Sequence, residues 1–341
     1  METYKQIQNP DSGRFIYIDG PTYKKLLKKY NENVLLLQPI RTTHVAPRKI
    51  KSTIVHHRQV DLNKDVLREI LSHADIQSVF RLCQVNKTLC HQQDDLFRHI
   101  YDRFYHETGM AVLKTANMTW FQLLKLCYQL SRLILLLPSL KKYTMIALYK
   151  KKELSLSAKK IKVLPPEIGQ LSHLQKLYLN GNQLSSLPPE MSRLSSLQQL
   201  LLNNNQLGAL PPEMGRLSAL QTLDLSNNQL SALPQELCQL IHLKYLNLAI
   251  NKLIALPPEM GQMHALQLLN LSYNQLSALQ PEISQLSALQ QLDLSYNQLT
   301  ALPPEIGQLI NLKYLYLSNN NFSSAFINKL IQQLPNTKII F

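Results

Sequence analysis

Cysteine, glycine and long apolar runs are all scarce in this chain of 341 residues. Its four cysteines, at positions 83, 90, 127 and 238, are too few and too scattered to form the disulfide framework of a small secreted domain. Cys83, Cys90 and the adjacent His91 lack the paired C-x-x-C spacing of a tetrahedral zinc site, so buried free thiols in a reducing compartment are expected, with no metal and no cofactor. The nine glycines exclude a collagen-like chain. The longest apolar runs, VLLL at 34–37 and LILLL at 133–137, are far too short to cross ~30 Å of hydrocarbon. METYKQIQNPDSGR has no apolar signal core. A cytoplasmic protein with no membrane span is expected.

Leucine is what abounds, at 69 of 341 positions, and at that density it must be buried, which excludes a disordered chain. Acidic residues are outnumbered, 22 against 36 Lys+Arg, giving a net charge of +14. The surplus is uneven. Residues 1–168 hold 28 Lys+Arg and 14 Asp+Glu, whereas residues 169–341 hold eight of each. The basic half invites a nucleic-acid reading, but its charge also suits an acidic protein partner, for which it would speed docking.

The neutral half is periodic. The pattern L-x-x-L-x-L-x-x-N-x-L places asparagines at Asn182, Asn205, Asn228, Asn251, Asn274, Asn297 and Asn320, every interval being 23 residues, and most units continue with L-P-P-E-[IM]-x-x-L. The x-L-x-L-x core predicts a short strand with Leu177 and Leu179 inward and Tyr178 and Asn180 outward. Each Asn is expected to turn the chain inward and to bond backbone groups of its own and the neighbouring turn. This array resembles the leucine-rich-repeat family in its 23-residue form. The resemblance implies an α/β solenoid with a curved parallel sheet of about eight repeats, roughly 34 Å long at ~4.8 Å per strand. A degenerate first unit keeps Leu154, Leu156 and Ile161 but has Lys151 for the first Leu and Lys159 for the Asn, as a capping repeat would. Phe322, Phe326, Leu330 and Leu334 lie at helical spacing and predict a C-terminal cap, and no catalytic domain is expected after the repeats.

Outward positions of the strands define the candidate protein-binding set on the concave face: Tyr178, Leu201, Asp224, Tyr245, Ile250, Leu268, Tyr273, Asp293, Tyr296, Tyr314 and Tyr316. Tyrosine anchors interfaces because it brings large area with a polar tip. Ile250, Leu268 and Leu201 are expected to be exposed beside it. Asp224 and Asp293 stand three repeats apart, ~14 Å, too far for paired acid–base work. No catalytic set stands out, and a non-enzymatic protein is expected.

Upstream, VDLNKDVLREILSHADIQSVFRLCQVNKTLCHQQDDLFRHIYDRFY begins at Val60 and carries two apolar helical stripes around a turn at 73–75. The order Leu62, Asp65, Ile70-Leu71, Asp75, Arg81-Leu82, Val85-x-Lys87 and Phe97 resembles the F-box motif, with Asn63 and Ile76 in place of prolines and Leu89 and Phe97 in place of tryptophans. The resemblance implies a small all-α domain over 59–107 that docks a Skp-family adaptor and its cullin complex through Leu62, Val66, Ile70, Leu71, Val79, Leu82, Val85 and Leu89. A helical connector over 108–150 follows, opened by Thr119 or Asn117 and burying the single tryptophan, Trp120. The repeat domain then spans 151–341.

Residues 1–58 form a basic leader and linker, with a strand at 15–18 and a helix from Pro21 that puts Tyr23, Leu26, Leu27 and Tyr30 on one face and four lysines opposite. Asn9-Pro10-Asp11-Ser12-Gly13-Arg14 and the Thr22-Tyr23-Lys24-Lys25-Leu26 run resemble a motif of large DNA viruses of protists. On that motif alone, a viral or intracellular-bacterial source is suggested, in which case the protein would act in host cytoplasm and redirect the host's ligase. The combined resemblance implies the substrate-recognition subunit of a cullin-type (SCF) ubiquitin ligase. An interaction scaffold without a ligase link, or nucleic-acid binding by the basic N-terminal region, are the alternatives.

Overall fold

The computed structural model describes residues 5–8, 15–18, 94–115 and 118–341. The chain divides into two compact units, Met1–Tyr128 and Gln129–Phe341. Within the first, β1 (Lys5–Gln8) and β2 (Phe15–Ile18) pair antiparallel, with Gln8 opposite Phe15. The strand expected at 15–18 is present, and its partner β1 is an addition. The helix expected from Pro21, the linker at 38–59, the docking helices around 60–90, Cys83, Cys90 and Asn117 lie outside the described residues.

Helix α1 (Asp94–Tyr105) buries Phe97, Ile100, Tyr101 and Tyr105. The Phe97 ring lies 4.9 Å from that of Phe121. Helix α2 (Trp120–Leu136) opens on a capping box, in which Thr119 Oγ1 accepts from Gln122 N at 3.1 Å and Gln122 Oε1 accepts from Thr119 N at 2.8 Å. Trp120, expected in the core, is only half-buried at the first position of that helix. Its ring meets Tyr101 at 5.3 Å and carries Arg98 and Lys114 over it, each 5.6 Å from the centroid.

The second unit is the repeat array. After α3 (Met145–Tyr149), strands β3 (Glu153–Ser155), β4 (Lys176–Tyr178), β5 (Gln199–Leu201), β6 (Thr222–Asp224), β7 (Tyr245–Asn247), β8 (Leu268–Asn270), β9 (Gln291–Asp293) and β10 (Tyr314–Tyr316) lie in sequential order, all parallel. A ninth strand, β11 (Lys338–Ile340), follows the cap helix α4 (Ser324–Gln333) and pairs with the outer edge of β10, with Leu317 N donating to Ile340 O at 2.7 Å. Eight strands were expected; the difference arises because β10 would otherwise end the sheet with an open ladder. The register is exact across repeats, Leu177, Leu200, Leu223, Leu246, Leu269, Leu292 and Leu315 stacking as neighbours and all fully buried.

The opposite side of each repeat is a short 3₁₀ turn, as at Pro212–Arg216, whose leading proline needs no hydrogen-bond partner for a nitrogen. Mid-turn the residue alternates: Gly169, Ser192, Gly215, Cys238, Gly261, Ser284, Gly307. A Cβ on Gly169, Gly215 or Gly261 would come within 2.3, 2.0 or 2.5 Å of the carbonyl oxygen of Glu190, Glu236 or Glu282 in the next repeat. Between these close approaches Ser192 and Ser284 have room to donate to Pro189 O at 2.8 Å and Pro281 O at 2.7 Å. Alternate repeats therefore pack with glycine as spacer.

Candidate protein-binding face

Three structural features of each repeat set what its sheet can present. The first is the asparagine ladder. Asn228 Oδ1 accepts from Leu207 N at 3.0 Å, while its Nδ2 donates to Leu202 O and Leu225 O, both at 3.0 Å, so one amide joins two repeats. Asn182 does the same for the degenerate unit, accepting from Lys159 N and Ile161 N at 3.0 Å. Asn205, Asn251, Asn274, Asn297 and Asn320 repeat the pattern. Each such group left unpaired would cost about 1–3 kcal/mol.

The second is a one-residue turn just before each of these asparagines, where the backbone is left-handed. Gly181, Asn204, Asn227, Ile250, Tyr273, Tyr296 and Asn319 all have φ between 53° and 69°. Glycine and asparagine accept this conformation readily, whereas Ile and Tyr are strained in it. The sequence carried the signal, in that four of the seven repeats place Gly or Asn at this position. In the other three the large side chain stands out from the sheet. Ile250, Tyr273 and Tyr296 are 50%, 49% and 43% exposed, and the two tyrosine rings stack at 4.0 Å with planes 9° apart. The Tyr273 hydroxyl titrates above its usual range, chiefly because it hydrogen-bonds Tyr296, then because of desolvation, with the Tyr296 and Asp293 charges contributing least.

The third is an Asx turn after each middle strand. Asp224 Oδ1 accepts from Ser226 N at 2.9 Å, Asn247 Oδ1 from Ala249 N at 3.1 Å, Asn270 Oδ1 from Ser272 N at 2.9 Å and Asp293 Oδ1 from Ser295 N at 3.0 Å. Asp224 and Asp293 thus hold the backbone as well as facing solvent.

Of the other residues picked out in the sequence, Tyr314 is exposed and stacks on Tyr316 at 6.5 Å. Tyr178, Tyr245 and Tyr316 are half-buried. Leu201 and Leu268, expected to be exposed, are also half-buried, each standing beside a tyrosine of the preceding strand, Tyr178 and Tyr245. Burial first, then the Asp224 charge, raises the Tyr245 hydroxyl pKa. At the N-terminal end Lys176 Nζ and Glu153 Oε2 pair at 3.6 Å. No residue of strands β5–β10 is basic, although Lys244 and Lys313 stand one residue before β7 and β10. The adaptor-docking set Leu62, Val66, Ile70, Leu71, Val79, Leu82, Val85 and Leu89 lies outside the described residues. Among the described residues no helix is long and apolar enough to cross a membrane.

Comparison with known families matches two segments of the chain. The leucine-rich-repeat family matches over residues 152–207, 195–253, 241–299 and 264–322, with a further single repeat at 311–334, and the F-box domain matches at 60–101. The chain is an F-box protein with leucine-rich repeats. Among solved structures, this F-box protein is similar to a leucine-rich-repeat protein of Leptospira interrogans, 39% identical with a TM-score of 0.51, over 58% of this chain and 57% of that one. It is 31% identical to the chain in a TLR13–ssRNA13 complex, with a TM-score of 0.50, over 55% of this chain and 28% of that one. Internalin C2 of Listeria monocytogenes, 22% identical with a TM-score of 0.53 over 62% of this chain and 92% of that one, shares the fold. The chain spans just over half the length of the Leptospira protein. No curated protein matches it.

Proposed function

We propose that this F-box protein is the substrate-recognition subunit of a cullin-type ubiquitin ligase and performs no covalent chemistry itself. Segment 59–107 docks a Skp-family adaptor through Leu62, Val66, Ile70, Leu71, Val79, Leu82, Val85 and Leu89, and the exposed face of the repeat sheet holds a protein substrate. The contribution to the reaction is proximity, which brings a target lysine to a ubiquitin-charged enzyme bound elsewhere in the assembly. The observation that carries this reading is the F-box match at 60–101 on a chain whose repeat sheet presents a row of large side chains on strained backbone. The absence of basic residues from strands β5–β10 supports a protein over a nucleic acid as the occupant of that face.

Co-expression of the full chain with a Skp-family adaptor tests the docking half. The expected outcome is a co-purifying complex that Leu62→Asp and Ile70→Asp each abolish while the repeats stay folded by circular dichroism. Unaltered co-purification of both variants would leave an interaction scaffold without a ligase link.

A further inference from the structure

The row Ile250, Tyr273 and Tyr296 is maintained against backbone strain, lies half in solvent, and has a carboxylate beside it. Asp293 is the register partner of Tyr316 on β10, and it shares a neighbour with Tyr273: Asp293 Oδ1 accepts from Ser295 N at 3.0 Å, and Ser295 O accepts from Tyr273 N at 2.9 Å. Three strands earlier Asp224 faces Tyr245 diagonally across to the next strand, where the register partner of Tyr245 is Thr222, two residues before Asp224. The two intervening strands carry Asn247 and Asn270 at the equivalent position.

That pattern separates structural need from surplus charge. All four residues make the same backbone hydrogen bond, at 2.9–3.1 Å, and the two asparagines make it without a charge. The turn therefore does not require a carboxylate at 224 or 293. A negative charge next to a tyrosine ring that reaches solvent, even in part, is a setting that attracts a cation, because guanidinium and ammonium groups bind carboxylates and also lie favourably on aromatic faces. With two acids and no basic residue, strands β5–β10 are complementary in charge to a basic ligand.

Spacing then selects the ligand. Three strand intervals put Asp224 and Asp293 ~14 Å apart. An extended peptide advances ~3.4 Å per residue and alternates its side chains, so residues i and i+4 project on the same side ~14 Å apart. We propose that this face binds an extended protein segment carrying two basic side chains four residues apart, one meeting Asp224 and Tyr245, the other meeting Asp293 and the tyrosine stack. The proposal rests on the reading of this face as the substrate site and names the class of substrate.

Panning the purified full chain against a display library of random twelve-residue peptides tests it. Enrichment of Arg or Lys at positions i and i+4 is expected. A synthetic peptide of the enriched sequence should lose binding when both basic residues become Gln, and its Kd should rise at least about tenfold on Asp224→Asn or Asp293→Asn. These variants keep the turn hydrogen bond that Asn247 and Asn270 already make, and thermal melting checks that they fold. The Gln peptide tests charge on the unaltered protein, should either variant unfold. Enriched peptides without a basic pair, bound through Tyr273 and Tyr296, would overturn the charge reading and leave the face a protein site. No enrichment at all would remove both, and neither result touches adaptor co-purification.

Discussion

Arg132 Nε lies 3.2 Å from Glu167 Oε1, while Oε2 of the same carboxylate is buried with no hydrogen-bond partner. Glu167 is the first of the repeat glutamates and is buried, whereas Glu190, Glu213, Glu236, Glu259, Glu282 and Glu305 are only half-buried. A carboxylate held out of water with one oxygen unsatisfied depends on its cation. Arg132→Met should therefore destabilise the chain by about 1–2 kcal/mol, the half-exposed guanidinium limiting the loss. The double variant Arg132→Met with Glu167→Gln should recover part of it. Denaturant midpoints of the wild type, the two single variants and the double variant decide; losses that simply add would show that the pair carries no coupling.

The alternating turn residues predict a contrast between two glycines. Gly215→Ala drives a Cβ to 2.0 Å from Glu236 O, so it should destabilise by about 1–3 kcal/mol. Gly208→Ala meets nothing within 4 Å and should change stability by less than about 0.5 kcal/mol. Thermal melts of the two variants, run side by side, check the difference.

Ile250 has φ 55°, a conformation that Asn204, Asn227 and Asn319 adopt at the same repeat position. Ile250→Asn should raise stability by about 1 kcal/mol, since it relieves strain and surrenders a side chain already half in solvent. The same change should weaken whatever the face binds. A lower melting temperature for this variant would show that Ile250 is held by packing and not at a stability cost.

The two thiols buried among the described residues predict a pH dependence. Burial pushes the Cys127 and Cys238 thiols up to about 12 from 9.0, with the charges of Glu259 and Glu236 adding to the effect at Cys238. Between those values the unfolded chain holds fewer protons than the folded one, so stability falls as pH rises from about 9 towards 12, by up to about 1.4 kcal/mol per pH unit per group. Below pH 9 the thiols impose no slope. Cys238→Ser, which puts the residue of Ser192 and Ser284 at this position, should flatten the decline measured by denaturant titration between pH 8 and 10. Thiol labelling of the folded chain at pH 8, mapped by mass spectrometry, should leave both sites unmodified.

Legibility followed the period. The leucine lattice and the asparagines from Asn182 to Asn320 were readable because each repeat solves the same packing problem, so its solution recurs at a fixed interval. Strand β11 was not, because Lys338-Ile339-Ile340 lacks the repeat's leucines and pairs only because β10 leaves an edge. Trp120 misled in a similar way: its size suggests a core, but its place at the start of α2 puts it among Tyr101, Arg98 and Lys114.

The sequence alone determined the repeat unit, its length and the residues facing out, since period and residue type are local properties of the chain. Tertiary structure decided which outward residues stand in solvent. The left-handed backbone before each Asn lifts Ile250, Tyr273 and Tyr296 out of the sheet, while Leu201 and Leu268 stand half-buried beside Tyr178 and Tyr245. Parallel pairing also brought Asp293 alongside Tyr316, a neighbour 23 residues away, because stacking converts sequence period into spatial contact.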